Sequence, residues 1–352
     1  MSDKRIYTGI DLFKLIAAVL VVLLHAVETS AWYPCEVKFV FTRLAVPFFF
    51  IASGFFFFNG LDKAKNKFEY FRRYEKNILK LFIVWALIIY LPFTILNYID
   101  IYHDAGPLKL SGLLFRRIFI IGAGPYWYLV ALFWSALFLY LCYIRKYERL
   151  LLGGIIFGFF CMIIYSCFRN ALSAVLCPVR IFAELIYTVF SWEFNFIMYG
   201  IPFMGLGYLF AKKKIKISIN NSICILLVAT ILRIAEYNLP YIFPMSFWND
   251  NSINIAFIFQ AIAYFMMAMN LDFNIKKDTS MVLRQFSSCI YFSHAIFLYE
   301  ILNPALLRYK SWNIYSGVWI PVKVIIVLLG CGILFGIVKK IDNKYLNILI
   351  NG

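Results

Sequence analysis

Charge is what this chain has least of. Charged residues make up 15% of its 352 positions against 63% hydrophobic, and acidic residues number only 18 against 34 lysines and arginines. With a mean hydropathy of +0.80, that shortage excludes a water-soluble globular domain and places the chain among polytopic membrane proteins. Metal-type motifs are missing too: the eight cysteines include no CxxC pair, so neither a metal centre nor a redox motif is expected. Five of them, Cys142, Cys161, Cys224, Cys289 and Cys331, sit inside apolar runs and read as small hydrophobes. Cys35 and Cys177 fall in expected outer segments, and a disulfide between them is left open. No long linker, repeat or low-complexity tract divides the sequence, which reads as one membrane domain over residues 1–352. No inverted repeat is visible, which weighs against a transporter. The first apolar run lacks a small-residue cleavage site and reads as a retained span, not a signal peptide.

Runs of about 17 to 25 mostly apolar residues give ten expected spans, near 9–28, 40–60, 79–98, 126–144, 151–168, 195–211, 218–236, 252–270, 286–306 and 316–338. The class is therefore all-α, with about ten transmembrane helices. The net charge of +16 reads as orientation, not as a nucleic-acid surface. With the N-terminus inside, 22 of the 34 basic residues fall in inner segments and eight in outer ones, which puts both termini in the cytoplasm. Lys14, Arg43, Arg233 and Lys323 fall within spans.

Those internal cations lead to the chemistry. Lys14 and His25 lie eleven residues apart on the first span. Eleven steps of about 100° bring both to one helix face, about 16 Å apart. Ionisable groups on a membrane helix turn toward protein or water, so the pair marks a candidate site, or else both snorkel from the helix ends. The second span opens at Arg43 and runs through Pro47, Phe48 and Phe49 to Ser53-Gly54-Phe55. A short connection makes the first two helices antiparallel neighbours. A cation beside His25 favours the neutral imidazole that a general base needs. Ser53 and Gly54 also read as small residues that let another helix approach. The fourth span begins Gly122-Ala-Gly124-Pro125-Tyr126-Trp127-Tyr128-Leu129, with an interfacial aromatic belt as the plain alternative. The ninth carries Tyr291-Phe-Ser-His294, which its expected bounds put about a third of the way in from the cytoplasm, on the inner half and far from His25. His294 reads there as a core histidine or as a relay. An inner basic cluster includes Arg72, Arg73 and Lys76. The outer segments 99–125, with Asp100, His103, Asp104, Arg116 and Arg117, and 169–194 read as loops that cap the helices or admit a polar acceptor.

Taken in order, these clusters resemble the acyltransferase 3 family of integral membrane O-acyltransferases, over nearly the whole chain. The family's arginine, ten residues and histidine of the first span are matched by Lys14 and His25, inside Gly9-Ile-Asp11-Leu-Phe-Lys14. Lysine keeps the charge and loses the bidentate fork; related variants with lysine occur in the lineage of exopolysaccharide acetyltransferases and serine racemase membrane modules. The Arg43 to Phe55 stretch resembles the second-span pattern. Arg73-Tyr-Glu-Lys76 resembles the two cytoplasmic arginines three apart, and Trp127-Tyr128-Leu129 the fourth-span signature. Leu206-Gly207-Tyr208 after Gly200 and Tyr291-x-x-His294 resemble later motifs.

The resemblance implies transfer of a short acyl group, most often acetyl from acetyl-CoA, to a hydroxyl of a cell-surface glycan or similar acceptor at a bacterial plasma membrane. His25 is then the expected base and Arg43 an oxyanion donor. Lys14, Arg72, Arg73 and Lys76 suit the phosphates of coenzyme A. Ser53 is expected to orient the imidazole, and Trp127 and His294 to join the donor or substrate site. Acyl-CoA is a substrate here; no bound cofactor, metal or nucleic acid is expected, and the lipid bilayer is the surrounding partner. The alternatives kept open are a multi-span transporter or permease and a catalytically degenerate binding module.

Overall fold

A computed structural model of the protein describes residues 7–28, 40–90, 92, 111–112, 115, 124–168, 177–190, 195–213, 217–242, 255–307 and 319–350. Asp100, His103, Asp104, Arg116, Arg117, Cys35 and the Cys177 side chain lie outside the described residues, and so does the disulfide left open above. Among the described residues the chain is 92% helical, with no strand.

The helices run α1 (Thr8–Glu28), α2 (Ala45–Lys63) entered through a tight turn at Thr42–Leu44, and α3 (Lys67–Leu81), which continues as a wider π-type turn over Phe82–Tyr90. Then come α4 (Trp127–Ile144), α5 (Glu148–Phe168), α6 (Cys177–Phe190), α7 (Ile201–Lys213) and α8 (Ile219–Ile242). The last four are α9 (Ile255–Asn270), α10 (Lys277–Ala295), α11 (Asn303–Leu307) and α12 (Trp319–Ile341).

Among the described residues six helices are long and apolar enough to cross a membrane: Thr8–Val27, Thr42–Lys63, Gly124–Ile144, Glu148–Ser166, Ile219–Asn238 and Trp319–Ile341. The apolar helices Phe196–Lys212 and Ile255–Asn270 fall where the sixth and eighth spans were expected. At 1.5 Å per residue they reach about 25 Å, short of a hydrocarbon core about 30 Å thick. Residues 169–194 do not form a plain loop, since α6 occupies Cys177–Phe190. The ninth expected span, 286–306, is helical but its helix starts earlier: α10 begins at Lys277, nine residues before, and carries Arg284 inside it, paired with Asp11.

The chain divides into two compact units, one of Met1–Phe49, Lys216–Glu236 and Ile255–Gly352 and one of Phe50–Ile215 and Tyr237–Asn254. In the first, α1 packs along α10. Ala18 and Val22 of α1 join Ile290 of α10 and Val327 and Cys331 of α12 in one buried core. Asp11, fully buried, sets the register: it accepts from Ser280 Oγ at 2.6 Å and from Arg284 Nε and Nη2 at 3.0 and 2.8 Å. Thr8 closes the same end, donating to Asp272 at 3.0 Å and accepting from the Phe273 N–H at 2.8 Å. Arg233 of α8 is also buried, donating to the Val40 carbonyl at 2.8 Å and to Gln260 of α9, with its guanidinium over the Phe257 ring. That accounts for one in-span cation as a structural clamp, a buried charge kept by its acceptors.

In the second unit α2 and α7 touch backbone to backbone. A Cβ on Gly54 would run into the Met204 carbonyl, and one on Gly207 into the backbone of Ile51 and Phe55. The small-residue reading of Ser53-Gly54 therefore describes what Gly54 does. At one end of this unit Asp62 binds Lys212 and accepts from Tyr143 Oη at 2.7 Å, tying α2, α4 and α7 together. Asn66 caps α3, its side chain accepting from the Glu69 N–H at 3.0 Å, as expected of Asn three residues before Glu. Phe71, Glu75, Ile78 and Leu81 form the buried face of α3, and Arg72, Arg73, Lys76 and Lys80 are exposed.

Two predictions follow from this packing. Gly54→Ala and Gly207→Ala should each cost about 1–3 kcal/mol through overpacking, read as a lowered thermal midpoint in detergent; unchanged midpoints would refute the close approach. Burial alone pushes the Glu75 carboxyl up to about 8 from its ordinary 4.5. The folded state then holds the proton that the unfolded state has released between those values, so this group's stabilising contribution is full below about pH 4.5 and lost as pH rises through about 8. Glu75→Gln should flatten that part of the stability profile and leave the protein more stable than wild type at pH 8.

Candidate active site

The register set at Asp11 reaches the other end of the same two helices. From Asp11 to His25 is fourteen residues, and so is the distance from Ser280 to His294. Both intervals advance about 21 Å with nearly the same rotation. Parallel helices joined at Asp11 and Ser280 must therefore meet again at the two histidines. They do: the rings of His25 and His294 stack with centroids 5.2 Å apart and an interplanar angle of 23°. The expected separation of an inner-half His294 from His25 is thus corrected: the two rings are in contact.

Each ring is held from one side. His294 is buried, with Nδ1 2.6 Å from the Tyr291 carbonyl and 3.2 Å from the Ile290 carbonyl. A carbonyl only accepts, so Nδ1 carries the proton, and in the neutral ring Nε2 keeps the lone pair. His25 Nδ1 lies 3.0 Å from Tyr299 Oη, with the two rings edge to face at 5.9 Å. When His25 Nδ1–H donates to the tyrosine oxygen, Nε2 is the basic nitrogen, the tautomer a general base needs. Tyr299 was missed in the sequence because it lies five residues beyond His294. On an α-helix five steps rotate about 500°, which puts the two well apart. Here the chain widens into a π-type turn over Ile296–Leu302, a distortion frequent at functional sites.

Lys14, one turn beyond Asp11, lies in the electrostatic field of both Asp11 and Arg284. It therefore belongs to the end of α1 where the Asp11 pair sits. Arg43 lies in the Thr42–Leu44 turn that packs on α1, with its Nε and Nη1 buried. Lys14, His25, Arg43 and His294 all belong to the first unit.

The second unit holds Ser53, Arg72, Arg73, Lys76 and Trp127. The Ser53 hydroxyl shares a hydrogen bond with Tyr128 Oη at 3.0 Å. The group seen orienting the His25 imidazole is Tyr299, the part that the sequence reading gave to Ser53. Trp127 is buried, edge to face with Tyr199 at 5.8 Å and tilted against Phe50 at 6.1 Å. Arg72, Arg73 and Lys76, with Glu69, line a recess of about 370 Å³ on the exposed face of α3. Among the described residues no group of three or more His, Cys, Asp or Glu is placed to hold a metal ion.

The model of one protein family, described as an acyltransferase domain, matches residues 7–338, and the chain belongs to that family. Two curated relatives, both named amino-acid racemase and both from Enterococcus faecalis, are 31% identical over 143 residues and 30% identical over 137. Those alignments cover 37% and 36% of this chain and 19% and 18% of the relatives, so the chain spans about a fifth of their length. No solved structure matches.

Tyr299→Phe deletes the hydroxyl and keeps the ring. If Tyr299 fixes the His25 tautomer, acyl transfer in membranes should fall about tenfold, a loss the size of one hydrogen bond to a catalytic group, with expression and thermal midpoint unchanged. Full activity would remove Tyr299 from the site.

Proposed function

We propose that this protein transfers a short acyl group, acetyl in the simplest case, from acyl-CoA to a hydroxyl of a cell-surface glycan or related acceptor at the bacterial plasma membrane. Family membership supports acyl transfer. The observation that carries the choice of base is His25, held through Nδ1 by Tyr299 and stacked on His294. On this reading the membrane topology is the one expected from the sequence, with about ten spans and both termini in the cytoplasm.

His25 Nε2 takes the proton from the acceptor hydroxyl, and the oxygen attacks the thioester carbonyl. The tetrahedral intermediate places its negative charge on the former carbonyl oxygen, and Arg43 donates to it. Collapse breaks the carbon–sulfur bond, and the departing thiolate takes the proton from the His25 imidazolium. The ester and free coenzyme A are the products, and no resident cofactor enters the balance. A positioned base contributes about 10² to 10⁴ to the rate, and aimed oxyanion donors a comparable amount. His294, in stacking contact with His25, limits the tilt of the ring and supplies a second basic nitrogen beside it. Lys14, Arg72, Arg73 and Lys76 are assigned to the donor's phosphates, which suit clustered cations; Ser53 and Trp127 are assigned to the donor's path. The racemase name of the two relatives is not carried over, because less than a fifth of either is matched.

Membranes expressing wild type should release thiol from acetyl-CoA and accumulate ester-linked acetate on extracted surface glycan. His25→Ala at matched expression should lower both by at least about a hundredfold. Turnover untouched by His25→Ala would overturn the assignment of the base. Absence of any turnover in wild type, with binding retained, would favour the degenerate binding module, and transport of the donor intact would favour a carrier.

A further inference from the structure

One acid of the second unit has no place in that chemistry. Glu75 sits on the buried face of α3 between Phe71 and Ile78 and is 8% exposed. Neither of its carboxyl oxygens has a hydrogen-bond partner among the described residues. Leaving such a group unsatisfied is costly, and an apolar residue would fill this position at no such cost. Next to it the Tyr74 hydroxyl, pushed well above its ordinary range chiefly by burial, lies near Ser53, and Ser53 shares a hydrogen bond with Tyr128. Glu75 therefore opens a short polar track, Glu75, Tyr74, Ser53 and Tyr128, through the otherwise aromatic packing of α2, α3 and α4. Phe57 against Tyr74 at 4.6 Å and Phe71 stacked on Tyr140 at 4.0 Å form the walls of that packing.

Helical geometry ties this track to the basic recess. At about 100° per residue, Glu69, Arg72, Arg73 and Lys76 spread over about 100° of one side of α3, and Glu75 lies about 110° round from their mean direction, at the edge of the buried face. On a helix about 11 Å across, that arc is about 10 Å. A ligand with an anionic head in the recess and a slender polar arm about that long reaches from one to the other. The carboxyl is neutral at physiological pH, as its raised pKa of about 8 implies. It then presents an O–H donor and a carbonyl acceptor side by side, the complement of an amide.

We infer that Glu75 is a binding group for an amide of the donor's arm, the pantetheine of coenzyme A, whose phosphates occupy the recess of Arg72, Arg73 and Lys76. This rests on the reading of acyl-CoA as donor and extends it. The amide N–H donates to the Glu75 carbonyl oxygen, and the Glu75 hydroxyl donates to the amide oxygen. Tyr74, Ser53 and Tyr128 continue the polar lining along the arm.

The test is direct binding to the purified full-length protein in detergent, with coenzyme A and, separately, with its phosphorylated nucleotide half lacking the pantetheine arm. Wild type should bind coenzyme A about tenfold or more tightly than the nucleotide half, the value of a satisfied buried amide. Glu75→Leu should remove that advantage and leave binding of the nucleotide half unchanged, which also reports that the variant is folded. Glu75→Gln, which keeps a donor and an acceptor, should stay within about twofold of wild type. If wild type binds both ligands equally, or Glu75→Leu keeps the full advantage, the inference is overturned while the donor reading stands. If wild type binds neither, the donor reading fails and takes the inference with it. The wild-type comparison decides the matter even if Glu75→Leu does not fold.

Discussion

The buried carboxylate of Asp11 is the interaction on which the first unit depends. A charge removed from water inside apolar helices persists only when its lone pairs are filled, and here Ser280 and both prongs of Arg284 fill them. That requirement fixes α1 and α10 in one parallel register. Four helical turns later the same register leaves no choice about which side chains meet, and His25 and His294 stack. The end of the pair that carries the two histidines is thus set by an ionic lock about 21 Å away.

The same rule accounts for the other polar groups among the apolar helices. Arg233 is kept by a backbone carbonyl and Gln260, and Asp62 by Lys212 and Tyr143. Glu75 departs from it, being buried yet without a hydrogen-bond partner among the described residues. A buried carboxyl without a hydrogen-bond partner among the described residues is a feature that packing alone does not explain.

Much of this was legible in the sequence, and the misses have physical causes. Composition gave the all-helical membrane class, and the order of clusters gave the family. Lys14, His25 and Arg43 were found as polar exceptions in apolar runs. The meeting of His294 with His25 was missed because hydropathy treats Arg284 as a boundary, whereas its pairing with Asp11 lets the helix begin nine residues earlier and fixes its register on α1. Tyr299 was invisible to α-helical periodicity, since a π-type turn changes which residues share a face. The bond between Ser53 and Tyr128 was not legible: the sequence shows that Ser53 is small and polar but not what lies opposite it. Of the ten expected spans, six are long apolar helices among the described residues; α7 and α9 are too short and α10 too polar for that description, and the third, 79–98, runs past residue 90 out of the continuously described residues.

The central claim is that His25 and His294 work as one unit built by a single helix pair. A double-mutant cycle on thiol release from acetyl-CoA, using His25→Ala, His294→Ala and the double variant at matched expression, tests it most directly. Groups acting together are strongly non-additive, so the double variant should be no slower than the slower single one, within about threefold. Losses that multiply as independent factors would contradict the account and make the stacked histidines neighbours without a shared task.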